Sequence, residues 1–223
     1  VQVEPNLNSD ENTAEAAPTA PYAEKAALRA AVVAEDAAAK AFGECGFLTP
    51  MDEIARRAGV SKQTIYNHYG SKADLIRAIV EQRVGEITAP LTAPDAHDHP
   101  EEALAGFGRV MIEMLLKPRG NALLRMTIQA SDDMPDLAKA FYEAGPRTSR
   151  RLLSVFLRDE TEAGRMAVDD PDLAAEFFVG MVIGGHQVAG LLGQGRDLPA
   201  AEIDRIAREA ARRFMRAYAR PGG

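Results

Sequence analysis

The 223-residue chain has little of what marks several functional classes. It has one cysteine, Cys45, so no disulfide can form within it, which fits a reducing cytoplasm. Cys45 is expected to be a small buried residue before a glycine turn. There are four histidines, no motif pairing a nucleophile with a base, and no Walker-type phosphate loop. No catalytic constellation follows, and neither enzyme activity nor a cofactor is expected. His97-Asp98-His99 has metal-like spacing but lies in a Pro-flanked loop without cysteine, so no metal site is expected. No run approaches the length that crosses a bilayer, so no membrane partner is expected. Residues 1–21 lack a basic region followed by an apolar stretch, so they do not resemble a secretory signal. Rich in Ala, Asn, Glu and Pro, they are expected to form a disordered tail. Strand-like alternation and internal repeats are also missing, which makes the chain all-α.

What is present is a series of helical segments with clear punctuation. After a first helix ending near Cys45, helices are predicted over Asp52–Ala58, Lys62–Tyr69 and Ser71–Thr88. A loop covers Ala89–Pro100. Further helices are predicted over Glu101–Lys117, Arg119–Ser131, Pro135–Ala163, Pro171–Leu192 and Pro199–Ala219, the third bending near Gly145-Pro146. The expected organisation is a tail over 1–21, a three-helix unit over 22–70, a connecting helix over 71–88 and a larger helical domain over 89–220. The net charge of −7 is unevenly spread. Residues 1–48 carry three basic and eight acidic groups, whereas residues 49–83 carry six and four. Cationic charge is thus concentrated in one segment.

That segment has the punctuation of a helix-turn-helix. Thr49 is placed to cap a helix with Pro50 at its first position and Asp52 near its positive end. Ile54, Ala55 and Ala58 form an apolar stripe, Gly59 ends the helix, and Ser61 caps the next. Ser71 with Asp74 resembles a capping box. Helices this short must pack on one another, through Ile54, Val60, Ile65, Tyr69, Leu75 and Ile79. Ile65 and Tyr69 point inward, leaving Lys62, Gln63, Thr64, Tyr66, Asn67 and His68 outside. Such side chains can donate to phosphates or reach base edges in a major groove. Lys72 would reach a phosphate beside the free N–H groups of the next helix. Spacing alone is equally compatible with a solvated three-helix bundle that binds no DNA.

Ile54-Ala55, Ala58-Gly59-Val60-Ser61-Lys62, Thr64-Ile65-Tyr66, His68-Tyr69, Ser71-Lys72 and Leu75 together resemble the signature of TetR-type bacterial repressors, as does Gly46-Phe47 upstream. The resemblance implies that Gln63, Thr64 and Asn67 face base edges, that Tyr66, His68 and Lys72 bind phosphate, and that Tyr69 is core. Thr49, Ser61 and Lys62 complete the candidate DNA-binding set. Three features depart from the pattern. Pro50 stands where the family usually has a hydroxyl residue, the turn from Gly46 to Ile54 is one residue shorter than usual, and Ala34, Ala39 and Ala41 replace larger aliphatics. The stretch Met134-Pro135-Asp136-Leu137 to Phe141-Tyr142-Glu143-Ala144-Gly145-Pro146 resembles the ligand-binding half of efflux-pump regulators.

The resemblance implies a ligand-responsive regulator, most readily a repressor, that binds palindromic double-stranded operator DNA as a homodimer and is released by a small apolar effector. Candidate ligand-binding residues are Phe107, Met111, Met126, Gln129, Phe141, Phe178, Met181 and His186, with Gln187 as another polar anchor. For each large apolar residue among them a plain core role is the competing expectation. Gly180, Gly184, Gly185, Ala189 and Gly190 would let helices approach closely. With Ile203, Ile206, Ala210, Phe214 and Tyr218 of the last helix, they are expected to build a two-fold interface. The alternative function is an all-helical small-molecule carrier in which the helix-turn-helix plays no part.

Overall fold

The computed structural model describes residues 20–116 and 118–220, and among them every regular element is helical. Most of the expected tail, residues 1–19, lies outside the described residues. Helix α1 spans Ala20–Cys45, α2 Met51–Ala58, α3 Lys62–His68 and α4 Lys72–Thr88. A 3₁₀ turn, Ala89–Thr92, leads into a loop and then α5, Pro100–Leu115. The rest comprises α6 (Pro118–Ala130), α7 (Pro135–Tyr142), α8 (Thr148–Glu162), α9 (Pro171–Leu191) and α10 (Ala200–Ala217).

Two cores organise these helices. The first joins α1 to α4 through Phe42, Phe47, Ile54, Ile65, Leu75 and Ile76. The small residues Ala34, Ala38 and Ala41 let α1 approach closely, and Phe42 meets Phe47 edge-on at 5.2 Å. This core also takes in Leu123 of α6, Leu137 of α7 and Ala144 just beyond it. The second core gathers Phe107, Leu153, Phe178, Val182 and Phe214, with Phe178 edge-on to Phe214 at 5.1 Å. Helix α4 serves both, placing Leu75, Ile79 and Val84 in the first and Ile87 in the second.

Four expectations change. The bend expected at Gly145-Pro146 is a π-turn over Glu143–Arg147 that carries α7 into α8. An extra residue in the turn accommodates the proline's missing N–H without a break. Cys45 is exposed, because it lies past Phe42 at the end of α1, and its sulfur sits 3.6 Å from Arg57 Nη2. Helix α10 turns Ile203, Ala207, Ala210 and Phe214 inward onto α5, so its apolar face is spent inside the chain. Exposed apolar residues lie on α9, the other helix of the expected interface, at Leu173, Phe177, Met181, Val188 and Leu192, and at Val155 of α8. Finally, α9 is long and apolar enough, by length and composition alone, to cross a bilayer, which the sequence reading missed. Its other face, Ala174, Ala175, Phe178 and Val182, packs in the second core, and Gly184 breaks its regularity with φ 34° and ψ −134°.

The loop before α5 explains the His-x-His segment. His97 Nδ1 lies 2.6 Å from a carboxylate oxygen of Glu160, and its ring stacks on Phe156.

Candidate nucleic-acid interface and effector cavity

The candidate DNA-reading helix is fixed at both ends. Gly59 ends α2 in the left-handed region, φ 67°, and Val60 N–H donates to the Ala55 carbonyl. Ser61 then caps α3: its Oγ accepts the Thr64 N–H at 3.0 Å and pairs with the Thr64 hydroxyl at 2.8 Å. Inside, Ile65 is buried, and Tyr69 donates its phenolic O–H to Glu35 of α1 at 2.6 Å. Burial, reinforced by that carboxylate, pushes the Tyr69 phenol above its ordinary value. Lys62, Gln63, Tyr66, Asn67 and His68 are exposed on the opposite face, with Thr64 half-buried at its edge. Gln63 Nε2 donates to Asn67 Oδ1 at 2.7 Å, so the two amides lie one turn apart on that face.

Charge around this face is organised by α2. Glu53 accepts from Arg56 at 2.6 and 2.7 Å and from Arg57 at 2.8 Å. Those two guanidinium groups hold its carboxyl down at about 2. Arg57 also reaches Glu44 of α1 at 2.5 Å, and Lys62 pairs with Asp52. These exposed pairs can exchange for phosphate, since such ion pairs contribute little in water.

Two residues of the candidate set sit elsewhere. Thr49 is buried and donates its hydroxyl to the Gly46 carbonyl at 2.8 Å, closing the turn rather than capping α2. Pro50 occupies the cap position and offers no side-chain hydrogen bond. Lys72 donates to the Phe47 carbonyl at 2.5 Å, tying α4 to the α1–α2 turn. Partial burial lowers the Lys72 ammonium's pKa.

In the other half, a cavity of about 200 Å³ is enclosed by α4, α5, α6, α7, the π-turn, α8 and α9. Val80, Arg83, Val84 and Ile87 of α4 form one wall. Gly145, Pro146, Ser149 and Arg150 form another, and Val179, Ile183 and Gln187 come from one stripe of α9. Of the candidate ligand residues, Met111 and Phe141 line this cavity. Phe107 and Phe178 are core, their ring centroids 6.1 Å apart. Met126 packs on the first core, while Gln129 and Met181 are exposed. His186 lines a separate small depression with Leu116, Ala189 and Leu198.

Core and cavity draw on the same apolar positions, so periodicity could not separate them. On α9 the pattern does carry one usable signal. Residues 178 and 182 face the core, 177 and 181 face outward, and between them runs 179, 183, 187, an apolar stripe ending in glutamine. The π-turn wall carries no such signal in the sequence, although turns of this kind recur at functional sites.

Comparison with known proteins matches residues 36–79 to the family model "Bacterial regulatory proteins, tetR family". Residues 102–220 match "AefR-like transcriptional repressor, C-terminal domain". The transcriptional regulator BetI of Rhizobium meliloti is 29% identical over 161 residues, which covers 67% of this chain and 72% of that protein. A regulator structure from Mesorhizobium loti superposes with a TM-score of 0.71 at 27% identity, covering 87% of this chain and 98% of its own. The structure of the flavonoid-responsive regulator FrrA superposes with a TM-score of 0.66 at 31% identity, covering 88% of this chain and all of its own.

Proposed function

Because the chain belongs to the TetR family of bacterial transcriptional regulators, we propose that it is a repressor that grips operator DNA as a homodimer and lets go when a small apolar molecule fills its cavity. The observation that carries this reading is the double duty of α4. Leu75, Ile76 and Ile79 bind that helix into the DNA-reading unit, while Val80, Arg83, Val84 and Ile87 wall the cavity. A molecule wedged against the second set shifts the first. Such a shift weakens DNA binding only if the effector prefers the arrangement that does not fit DNA.

On the DNA side, Gln63, Thr64 and Asn67 would read base edges, with Tyr66, His68, Ser61 and Lys62 on phosphates. Lys72 and Thr49 would act indirectly, by holding the turn that sets the angle of α3. On the effector side, Met111 and Phe141 remain in the site, joined by Arg83, Leu124, Arg150, Ile183 and Gln187. The outward stripe of α9 supports pairing of two copies, which aligns two reading helices with a palindrome. FrrA is named as flavonoid-responsive, which supports effector control in a related fold. The reading places the protein in the cytoplasm and gives it no catalytic role.

The test is a mobility shift of the purified protein on DNA flanking its own gene, across a salt series, beside Tyr66→Ala. Specific binding that weakens with salt and is weaker in the variant is expected. Absence of binding at low salt to that DNA and to a randomised library would overturn the repressor reading in favour of a carrier.

A further inference from the structure

We propose that a second pocket, on the other face of α6 from the cavity, binds a zwitterion of amino-acid size with an aliphatic tail. The pocket measures about 360 Å³, which is within the usual range of small-molecule sites. Helical spacing keeps the two spaces apart. On α6, Asn121 and Arg125 line the pocket, whereas Leu123 and Leu124 line the cavity. On α5, Ile112 and Leu116 belong to the pocket, Met111 and Leu115 to the cavity. Ile203 of α10 and the loop between α9 and α10 complete the pocket and take no part in the cavity.

The observation that points to a ligand is a buried acceptor without a partner. Asn121 is 6% exposed. Its Nδ2 donates to the Leu116 carbonyl at 3.0 Å, which fixes the orientation of the amide. Its Oδ1 is buried and accepts no hydrogen bond. An acceptor left in that state costs free energy that a ligand's N–H recovers. Glycine makes the room. A Cβ added at Gly190 would lie 2.3 Å from Nδ2 and 2.8 Å from Oδ1 of Asn121, so any side chain there would displace the amide from the wall.

The rest of the wall sets the rest of the ligand. Ile112, Leu116, Leu198 and Ile203 form an aliphatic floor. Asp197 is the wall's carboxylate among the described residues, and it joins Asn121 Oδ1 as an acceptor for an ammonium group. Arg125 spends Nη2 on the Gly190 carbonyl at 2.8 Å, so it anchors the wall rather than the ligand. Arg196 is exposed and offers its guanidinium to a carboxylate. The neighbouring carboxylate, Glu202, is already held by Arg205 at 2.7 and 2.8 Å. An ammonium and a carboxylate on one carbon therefore each meet an opposite charge, and the tail meets the floor.

The experiment uses three probes that share one tail: L-leucine, 4-methylpentanoate, which lacks the ammonium, and 3-methylbutylammonium, which lacks the carboxylate. Each is titrated calorimetrically into the full chain. Leucine is expected to bind at least about tenfold more tightly than either of the others. Asn121→Leu, which removes the acceptor, should weaken leucine and 3-methylbutylammonium by about tenfold and leave 4-methylpentanoate unchanged. Asp197→Asn, at an exposed loop position on which folding does not depend, should weaken the same two probes. Arg196→Gln should instead weaken leucine and 4-methylpentanoate and spare the ammonium. Far-UV circular dichroism should show every variant as helical as the wild type. Failure of leucine to bind at millimolar concentration would overturn the proposal, as would 4-methylpentanoate binding as tightly as leucine. Leucine binding that neither Asn121→Leu nor Asp197→Asn weakens would place the site elsewhere and overturn it as well.

Discussion

Glu160 is fully buried, yet its carboxylate accepts two hydrogen bonds from Arg165, at 2.6 and 2.8 Å, and one from His97 at 2.6 Å. Burial pushes its carboxyl up, but the Arg165 and His97 contacts outweigh burial and hold it below the ordinary carboxylate range. A depressed folded-state value stabilises the fold above the unfolded value, and that stabilisation disappears as pH falls through the folded one. Thermal melts should therefore show wild type losing stability on acidification more steeply than Glu160→Gln. At neutral pH the variant should be about 1–3 kcal/mol less stable, since Arg165 and His97 keep access to water. An unchanged melt at both pH values would show that the cluster contributes nothing. On α3 the proposed roles of the residues can be separated. Tyr66→Ala should weaken binding to all sequences alike and leave the salt slope unchanged, since a neutral phenol releases no counterion. Asn67→Ala should instead relax selectivity at one base pair, by about 1–3 kcal/mol. Selection from a randomised operator library separates the two, and a shared loss of selectivity would contradict the assignment. Residues near helix ends were the hardest to read from sequence. The exposed face of α3 follows from the inward pair Ile65 and Tyr69. Nothing in the pattern showed that Thr49 would turn to the Gly46 carbonyl or that Cys45 would face solvent, because one turn past a core residue the periodicity no longer fixes direction.

At the scale of elements, the junction between the π-turn and α4 couples the two halves of the chain. A Cβ added at Gly145 would lie 2.9 Å from Cγ1 of Val80, so only glycine fits against α4 as it stands. Gly145→Ala should push α4 aside and destabilise the protein by about 1–3 kcal/mol. Val80→Ala removes the clashing methyl, so the double variant should recover much of that loss, a coupling a double-mutant cycle would expose. If the coupling matters for function, Gly145→Ala should also lower operator affinity without any effector. Equal operator affinity in the variant would separate packing here from DNA binding. Most helices were legible because their ends carry Pro, Gly, Ser or Asp in recognisable positions: Pro171 after the Asp170 cap is one, and Gly59 closing α2 is another. The π-turn was not. Proline inside a helix signals a lost hydrogen bond, and sequence does not say whether the chain answers with a kink or with one extra residue in the turn. The wall of the cavity was obscured by the same uncertainty, since Gly145, Pro146, Ser149 and Arg150 reach it through that turn.

At the scale of the whole molecule, the proposed homodimer needs a surface that holds two reading helices in register, and the exposed apolar residues of α9 are the surface we propose for it. Phe177 and Leu192 are 55% and 72% exposed in the single chain, and Leu173, Met181 and Val188 are exposed on either side of Gly184 in the same element. An apolar strip of that length on one helix points to a protein partner. The sequence reading expected an interface built jointly from the small residues of α9 and from α10. The amphipathic pattern of α10 is real. It is satisfied internally, because Ile203, Ala207, Ala210 and Phe214 are buried where α10 packs on α5. Surface and core amphipathicity look alike until the packing partner is known. The resulting prediction is that Phe177→Asp, which places a carboxylate in the strip, converts a dimer to a monomer in sedimentation without loss of helix content. Each subunit would keep its reading helix but grip only one half-site. Losing the second contact removes the gain from linked binding, so operator affinity should drop by roughly a hundredfold or more. A Phe177→Asp protein that still sediments as a dimer would move the interface off α9. One that is monomeric yet binds the operator as tightly as wild type would show that the protein reads DNA without pairing.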